Sequence, residues 1–272
     1  MIFCNTLNKE FATKEAMFKE LKDNEAKIIQ LKRASIYKSY EKGQYSPIIG
    51  TIKTNESAKA ALDLDPDYIY PVINTTKYMD SHGDVHADGI WKRSLKEQKG
   101  NIFYLSDHAM ENEKVIAWPE DVEAFTKMID WSVLGKDYEG QTQALIYKIA
   151  KDKIVSESAR KTIEDGRKVQ NSVRMQYVKI KFAVDSNEKA YKQNKKHFDE
   201  NIDKIANSDV VREQGYFYLV EEAKIHKEGS MVLFGSNDVT PILTSEPLKN
   251  TLETEPPKGT QKENLLLNYL NI

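Results

Sequence analysis

The sequence predicts an α+β fold, mostly β, in which an antiparallel β-barrel is flanked by helices. Between residues 68 and 241, several short segments are rich in β-branched and aromatic residues that alternate with polar ones, which is typical of half-buried strands. Few helical segments interrupt them, which favours a barrel built from short strands. A Gly-rich phosphate loop, a G-x-S-x-G turn and an H-E-x-x-H helix are all absent from the sequence, which excludes the common nucleotide-binding, hydrolase and metalloprotease templates.

The composition indicates a globular protein of the cytoplasm. The chain has 272 residues, of which 40% are hydrophobic, and this is enough to build a core. Its formal net charge of -2 gives no case for binding nucleic acid, and no apolar run is long enough to span a membrane. Residues 1–6 lack the pattern of a signal peptide. The single cysteine, Cys4, excludes an internal disulfide and a cysteine-rich zinc site. No cofactor is expected.

Residues 1–55 are predicted to form an N-terminal helical extension and linker. Thr13 is suited to cap a first helix with Met17, Phe18 and Leu21 on its apolar face, and Asn24 to cap a second. The second helix is basic and is interpreted either as a solvated face or as a docking surface for an acidic partner; its cations are Lys27, Lys32, Arg33, Lys38 and Lys42.

Residues 56–245 are predicted to form the main domain. Its expected strands begin at Tyr68, Asn101, Lys114, Val122, Gln141, Lys168, Gly215 and Met231, and short helices are expected over 89–97 and 156–164. Residues 185–214 are lysine-rich with a helical apolar spacing, which predicts a helical insertion on the barrel surface. Residues 246–272 are predicted to be a flexible tail whose apolar end either packs back on the core or serves as a docking peptide.

The strand over 168–183 carries one small hydroxyl, that of Ser172. Val178, Ile180 and Phe182 alternate with lysines there, so Ser172 is expected on their core-facing side if no bulge intervenes. On this segment alone, a serine hydrogen-bonded at a strand end is favoured over a nucleophile.

Two features of the sequence are candidates for chemistry, a single histidine and a segment in which acidic and imidazole side chains alternate. His108 follows the strand that starts at Asn101, and imidazole titrates near neutrality, so it is a candidate general base. Alternating acidic and imidazole side chains also allow a metal site, although the composition of the segment favours a tight turn; they are Asp80, His82, Asp84 and His86.

Four segments in one order resemble the tailed-phage prohead protease family, relatives of the herpesvirus assemblins. The segments are M-D-S-H-G-D-V-H-A-D-G-I-W-K-R-S-L, N-I-F-Y-L-S-D-H with V-I-A-W after it, N-S-V-R-M-Q-Y-V-K-I, and E-A-K-I-H-K-E-G-S-M-V-L-F-G-S-N, within residues 68–241. The resemblance implies an assemblin-like barrel and a serine endopeptidase. Such an enzyme works inside the procapsid in the host cytoplasm and cleaves scaffold or capsid-protein extensions, and often itself.

Residue by residue, the resemblance implies a catalytic triad. Ser172 matches the nucleophile of the family, His108 its histidine and Glu228 the acidic position. His226 is the rival third member, because assemblins use a histidine there. Glu228 is favoured because a carboxylate stabilises an imidazolium more strongly. Arg174 stands where the family often has glycine, and it is interpreted either as a donor to the oxyanion or as a block of the site.

Two functions therefore remain open from the sequence. One is an active maturation protease with the major capsid protein or a scaffold protein as its partner, and the resemblance also allows a homodimer. The other is a catalytically inactive protease-like barrel that acts as a scaffold or minor capsid structural protein. A metal-dependent hydrolase built on the acidic and imidazole side chains of residues 80–86 is a third interpretation.

Overall fold

The computed structural model describes residues 1–34, 52–53 and 63–245 and has an α+β architecture. Its strands are β1 Ile2–Cys4, β2 Lys9–Phe11, β3 Ile52–Lys53, β4 Tyr68–Thr75, β5 Asp84–His86, β6 Phe103–Ser106, β7 Val115–Ala117, β8 Glu123–Asp130, β9 Gln141–Ala150, β10 Gln170–Val184, β11 Tyr216–Val232 and β12 Ile242–Thr244. Its helices are α1 Lys14–Asp23, α2 Glu25–Ala34, α3 Lys92–Glu97, α4 Glu157–Glu164, α5 Lys192–Asn201 and α6 Ser208–Gln214.

The strands form a hairpin and two five-stranded sheets. β1 and β2 pair with each other, and the second sheet has the order β3-β12-β4-β9-β8. The first sheet, here called the site sheet, has the order β10-β11-β6-β7, with β5 also paired to β11. The 17-residue strand β11 organises it, because β10 lies antiparallel along one edge while β5 and β6 lie parallel along different parts of the other edge.

The closed antiparallel barrel expected from the sequence is wrong for the described residues. Both five-stranded sheets are open, and the site sheet is mixed because β5 and β6 run parallel to β11. Alternation of apolar and polar residues identifies a strand but carries no information about its neighbour or direction. The coarser α+β prediction is confirmed, and so is the hairpin of β8 and β9.

The predicted N-terminal helices are present and pack into the main core. The Thr13 hydroxyl oxygen accepts a hydrogen bond from the Ala16 amide at 3.2 Å, which is the expected cap of α1. Met17, Phe18 and Leu21 are buried in the same hydrophobic cluster as core residues of β10 and β11. The hairpin of β1 and β2, which precedes these helices, was not predicted.

One cation of α2 is neither solvated nor available to an outside partner. The Lys32 ammonium lies 2.7 Å from Oδ1 of Asp84, which is fully buried at the start of β5. It also lies 4.6 Å from the centroid of the Tyr218 ring. Lys38 and Lys42 lie outside the described residues. The basic character of α2 therefore includes an internal ion pair that links the N-terminal segment to the site sheet.

The predicted helical insertion occurs as α5 and α6 with short 3₁₀ turns beside them. Its expected apolar face is confirmed, because Tyr191, Phe198, Ile202 and Ile205 are all buried. The linker and tail predictions fall largely outside the described residues, which include only 52–53 of the linker and stop at residue 245. No helix in the described part of the chain has the length and apolar character needed to cross a bilayer.

Candidate active site

The candidate residues lie on three neighbouring strands of the site sheet. Ser172 on β10 is paired with Ser230 on β11, and Ser230 is in turn paired with Leu105 on β6. Directly opposed residues of an antiparallel pair share one face, and so do residues two apart along a strand. Ser172, Glu228 and Ser230 therefore share a face, and His108 follows two residues after the end of β6.

A carboxylate–imidazole pair forms the centre of this site. His108 Nδ1 lies 2.7 Å from Oε1 of Glu228. The Glu228 side chain is fully buried and that of His108 is 15% exposed. With its Nδ1 hydrogen directed at Glu228, a neutral His108 has its basic lone pair on Nε2. The arrangement can orient the imidazole and stabilise the imidazolium that forms when Nε2 takes a proton.

The backbone at the end of β6 bends sharply to bring His108 over β11. Asp107 and His108 have φ angles of 54° and 57°, in the left-handed region that residues other than glycine rarely occupy. The Asp107 amide donates to the Met231 carbonyl at 2.9 Å, and the Ala109 amide donates to the Ser106 carbonyl at 3.1 Å. These bonds hold a costly conformation that places the imidazole beside Glu228.

Ser172 lies on the face opposite to the hydrophobic core, and this corrects the sequence-based expectation. Val173 and Tyr177 are buried in the core, whereas Val178 is 40% exposed. Register shifts between Tyr177 and Ile180 move the core-facing positions from odd to even numbers. A bulge therefore does intervene, and Ser172, which is 9% exposed, faces the side of Glu228 rather than the core.

The start of β10 is fixed by its neighbour Asn171. The Asn171 amide donates to the Thr240 carbonyl at 3.0 Å, and its side-chain amide donates to the same carbonyl at 2.9 Å. The Tyr104 hydroxyl donates to Oδ1 of Asn171 at 2.6 Å, and burial raises the pKa of Tyr104 well above its usual value. Ser172 therefore follows a residue that three bonds hold in place.

A bulge in β11 separates Glu228 from the other candidate third member, His226. Three residues of β11, His226 to Glu228, stand opposite Arg174 alone, and Lys227 has a φ angle of 72°. The Nδ1 atom of His226 is buried and has no hydrogen-bond partner in the described part of the chain. Glu228, rather than His226, makes the hydrogen bond with Nδ1 of His108. Arg174 is half-buried on the bulged segment, two residues from Ser172.

Ser230 was not among the candidate site residues, yet it contacts both members of the pair. Its hydroxyl donates to Oε2 of Glu228 at 2.6 Å and accepts from the His108 amide at 3.2 Å. Its spacing of two from Glu228 on one strand was a signal for a shared face. The contact with His108 could not be read from the sequence, because it depends on the parallel pairing of β6 with β11.

The segment with alternating acidic and imidazole side chains forms a turn and a polar network. Asp80 Oδ1 accepts from the amides of His82 and Asp84, as a tight turn requires. The ring nitrogens of His86 lie 3.1 Å from Asn74 Oδ1 and 3.1 Å from the Tyr177 hydroxyl. Among the described residues there is no group of three or more histidine, cysteine or acidic side chains arranged to hold a metal ion.

Tyr147 packs behind the site with its hydroxyl unsatisfied. This hydroxyl is buried and has no hydrogen-bond partner among the residues that the structure describes. It lies against Gly229, where an added Cβ would come within 2.9 Å of it. Burial, and then the charge of Glu228, raises the pKa of Tyr147 well above its usual value of 10.0. An unsatisfied buried hydroxyl costs free energy that phenylalanine would not.

Replacing Tyr147 by phenylalanine is therefore expected to leave the free energy of unfolding at pH 7 unchanged or to raise it by about 1 kcal/mol. The raised pKa of Tyr147 means that wild-type stability falls once the unfolded tyrosine ionises, above pH ~10, while the folded one stays protonated. The advantage of the variant should then grow by up to about 1.4 kcal/mol per pH unit. Urea unfolding at pH 7 and at pH ~11 measures both effects.

Tyr104 provides the matched control for this measurement. It is equally buried, but its hydroxyl donates to Asn171. Tyr104→Phe should lower the free energy of unfolding at pH 7 by about 1–2 kcal/mol, because Asn171 loses its donor. A similar loss in Tyr147→Phe would mean that the Tyr147 hydroxyl has a partner after all.

The fold and the site together define an α+β protein with a buried carboxylate–histidine pair one strand away from a serine. Comparisons with protein-family models, with curated proteins and with solved structures found no match to this chain.

Proposed function

We propose that the chain is a serine endopeptidase that matures a phage prohead. The observation that carries the proposal is the 2.7 Å contact of His108 with buried Glu228, one strand away from Ser172 on the same face of the site sheet. The resemblance of four ordered segments to prohead proteases supplies the substrate class, which is scaffold or capsid-protein extensions and the enzyme itself. An assemblin-type relationship belongs to the same proposal.

The proposed chemistry uses the three side chains in sequence. The Ser172 oxygen attacks the peptide carbonyl carbon while its proton passes to Nε2 of His108. The carbon–nitrogen bond then breaks as that proton passes to the leaving amine. A water molecule attacks the resulting ester with the same assistance, which releases the carboxylic acid and restores the serine. Glu228 holds the imidazole orientation throughout, and Arg174 is the candidate donor to the oxyanion.

The proposed setting is the procapsid in the host cytoplasm. The partners are the major capsid protein, a scaffold protein or both, and a homodimer is part of the same proposal. The rival is a catalytically inactive protease-like protein with a scaffolding role. The observation that favours it is that Arg174 is half-buried and lies two residues from Ser172 on β10.

A fluorophosphonate probe tests the proposal without knowledge of the cleavage site. The nucleophilic oxygen forms a bond to phosphorus, the phosphorus–fluorine bond breaks, and fluoride leaves while the proton passes to the base. We expect one stoichiometric adduct on the purified full chain, which peptide mass spectrometry should locate on Ser172. Absence of an adduct, or an adduct spread over other serines, would support the structural role.

A further inference from the structure

Ser230 is a fully buried serine whose hydroxyl joins the acid and the base of the site. It donates to the Glu228 oxygen that does not face His108, and it accepts from the backbone amide of His108. One hydroxyl therefore contacts the side chain of one residue and the backbone of the other. The two residues it joins are 120 positions apart in the chain.

We propose that Ser230 is a positioning residue that acts through Glu228 and His108. This inference rests on the proposed function of the same site. A carboxylate can rotate about its last carbon–carbon bond and offer either oxygen. With Oε2 held by Ser230 at 2.6 Å, Oε1 is the oxygen directed at Nδ1 of His108. The hydroxyl thus fixes the plane of the carboxylate and, through it, the plane of the imidazole.

The second bond of Ser230 acts on the base itself. The amide that donates to it belongs to His108, whose φ angle of 57° is costly for a residue with a side chain. A hydrogen bond from this amide to a buried hydroxyl stabilises the left-handed turn that directs the imidazole toward β11. Ser230 consequently holds the backbone of His108 directly and the ring of His108 through Glu228.

The position of Ser230 explains why a hydroxyl rather than a larger polar group is present. Ser230 is paired with Ser172 across the two strands, and such paired Cα atoms are about 4.5–5.5 Å apart. A small side chain is needed there to leave space between the nucleophile and the base. Ser230 is not itself a suitable nucleophile, because its hydrogen is directed at Glu228 and its side chain is fully buried.

The test measures the rate of fluorophosphonate labelling of Ser172 in the full chain. Ser230→Ala should lower this rate about tenfold, because a hydrogen bond to a charged group is lost. Ser230→Thr keeps the hydroxyl and should retain at least a third of the rate. In a Glu228→Ala background, Ser230→Ala should lower the already reduced rate by no more than about threefold, because the route through Glu228 has gone and only the bond to the His108 amide is left to lose.

Ser94 supplies a matched control. It is a buried serine whose hydroxyl also makes two bonds, accepting from the Ile225 amide at 2.8 Å and from the Gln98 side-chain amide at 2.7 Å. Ser94→Ala should lose a comparable amount of thermal stability while labelling at the wild-type rate. Equal rate losses in Ser94→Ala and Ser230→Ala, or additive effects of Ser230→Ala and Glu228→Ala, would overturn the positioning role.

A spectroscopic measurement separates this inference from the proposed function. The hydrogen between His108 Nδ1 and Glu228 should give a low-field proton resonance, assigned by its loss in Glu228→Ala. This resonance should weaken or shift in Ser230→Ala and remain in Ser230→Thr and Ser94→Ala. If wild type is not labelled but the resonance depends on Ser230, the protease proposal fails and the positioning role stands. An unchanged resonance in Ser230→Ala would refute the positioning role whatever the labelling shows.

Discussion

Replacing Ser172 by alanine is expected to abolish proteolytic processing while leaving the fold intact. The change removes one oxygen from a side chain that points away from the hydrophobic core, so the melting temperature should shift by no more than a few degrees. It also removes the only atom that forms the covalent intermediate in the proposed reaction, so processing should fall below detection. Mass spectrometry of capsid and scaffold proteins assembled with each form of the chain measures this.

A second serine, at the start of α4, makes the comparison specific. Ser156 caps α4 through a hydrogen bond to the Ala159 amide and lies outside the site. Ser156→Ala should lower stability by about 1 kcal/mol and leave processing intact. Continued processing of the capsid proteins with Ser172→Ala would end the protease proposal and direct attention to the inactive, structural alternative.

Replacing Lys32 by methionine is expected to lower the free energy of unfolding by about 3–5 kcal/mol. The side chain of Asp84 has no solvent exposure and that of Lys32 only 14%, so water cannot replace the lost ammonium. The Tyr177 hydroxyl still donates to Asp84 at 2.9 Å, but a neutral donor does not balance the charge of a buried carboxylate. Urea unfolding of the full chain at pH 7 measures the loss.

Two further variants separate the effect of breaking the ion pair from the effect of removing a lysine from α2. Lys27 lies on the same helix and is exposed, so Lys27→Met should change stability by no more than about 0.5 kcal/mol. Adding Asp84→Asn to Lys32→Met removes the unbalanced charge and should recover part of the loss. If Lys32→Met is as mild as Lys27→Met, the pair does not anchor the N-terminal segment to the site sheet.

The sequence was sufficient to predict those parts of the fold that depend on near neighbours in the chain. The cap at Thr13, the hairpin of β8 and β9 and the apolar face of residues 191–205 each follow from spacings within one element or across one turn. The pairing of β5 and β6 with β11 joins segments more than 120 residues apart, and no local pattern encodes it. The prediction of a closed barrel was wrong because it depended on these distant pairings.

For the candidate site, too, the sequence predicted some features and missed others. The sequence and its resemblance indicated Ser172, His108 and Glu228, and the structure brings His108 and Glu228 into contact. The face occupied by Ser172 was mispredicted, because register shifts cannot be seen in an alternation of residue types. Ser230 was missed because its hydrogen bond to the His108 amide depends on a left-handed turn at residues that carry side chains.

The separation of the site over three strands has a consequence for the order of synthesis. His108 has no Glu228 to contact until 120 more residues have been made, and β11 is the last long strand of the described chain. Contacts this far apart in sequence also form late in folding, because closing long loops is slow. A ribosome-bound chain therefore lacks the acid–base pair until nearly all of residues 63–245 have emerged. Under the proposed function, a newly made molecule therefore acquires its acid–base pair only when its translation is nearly complete.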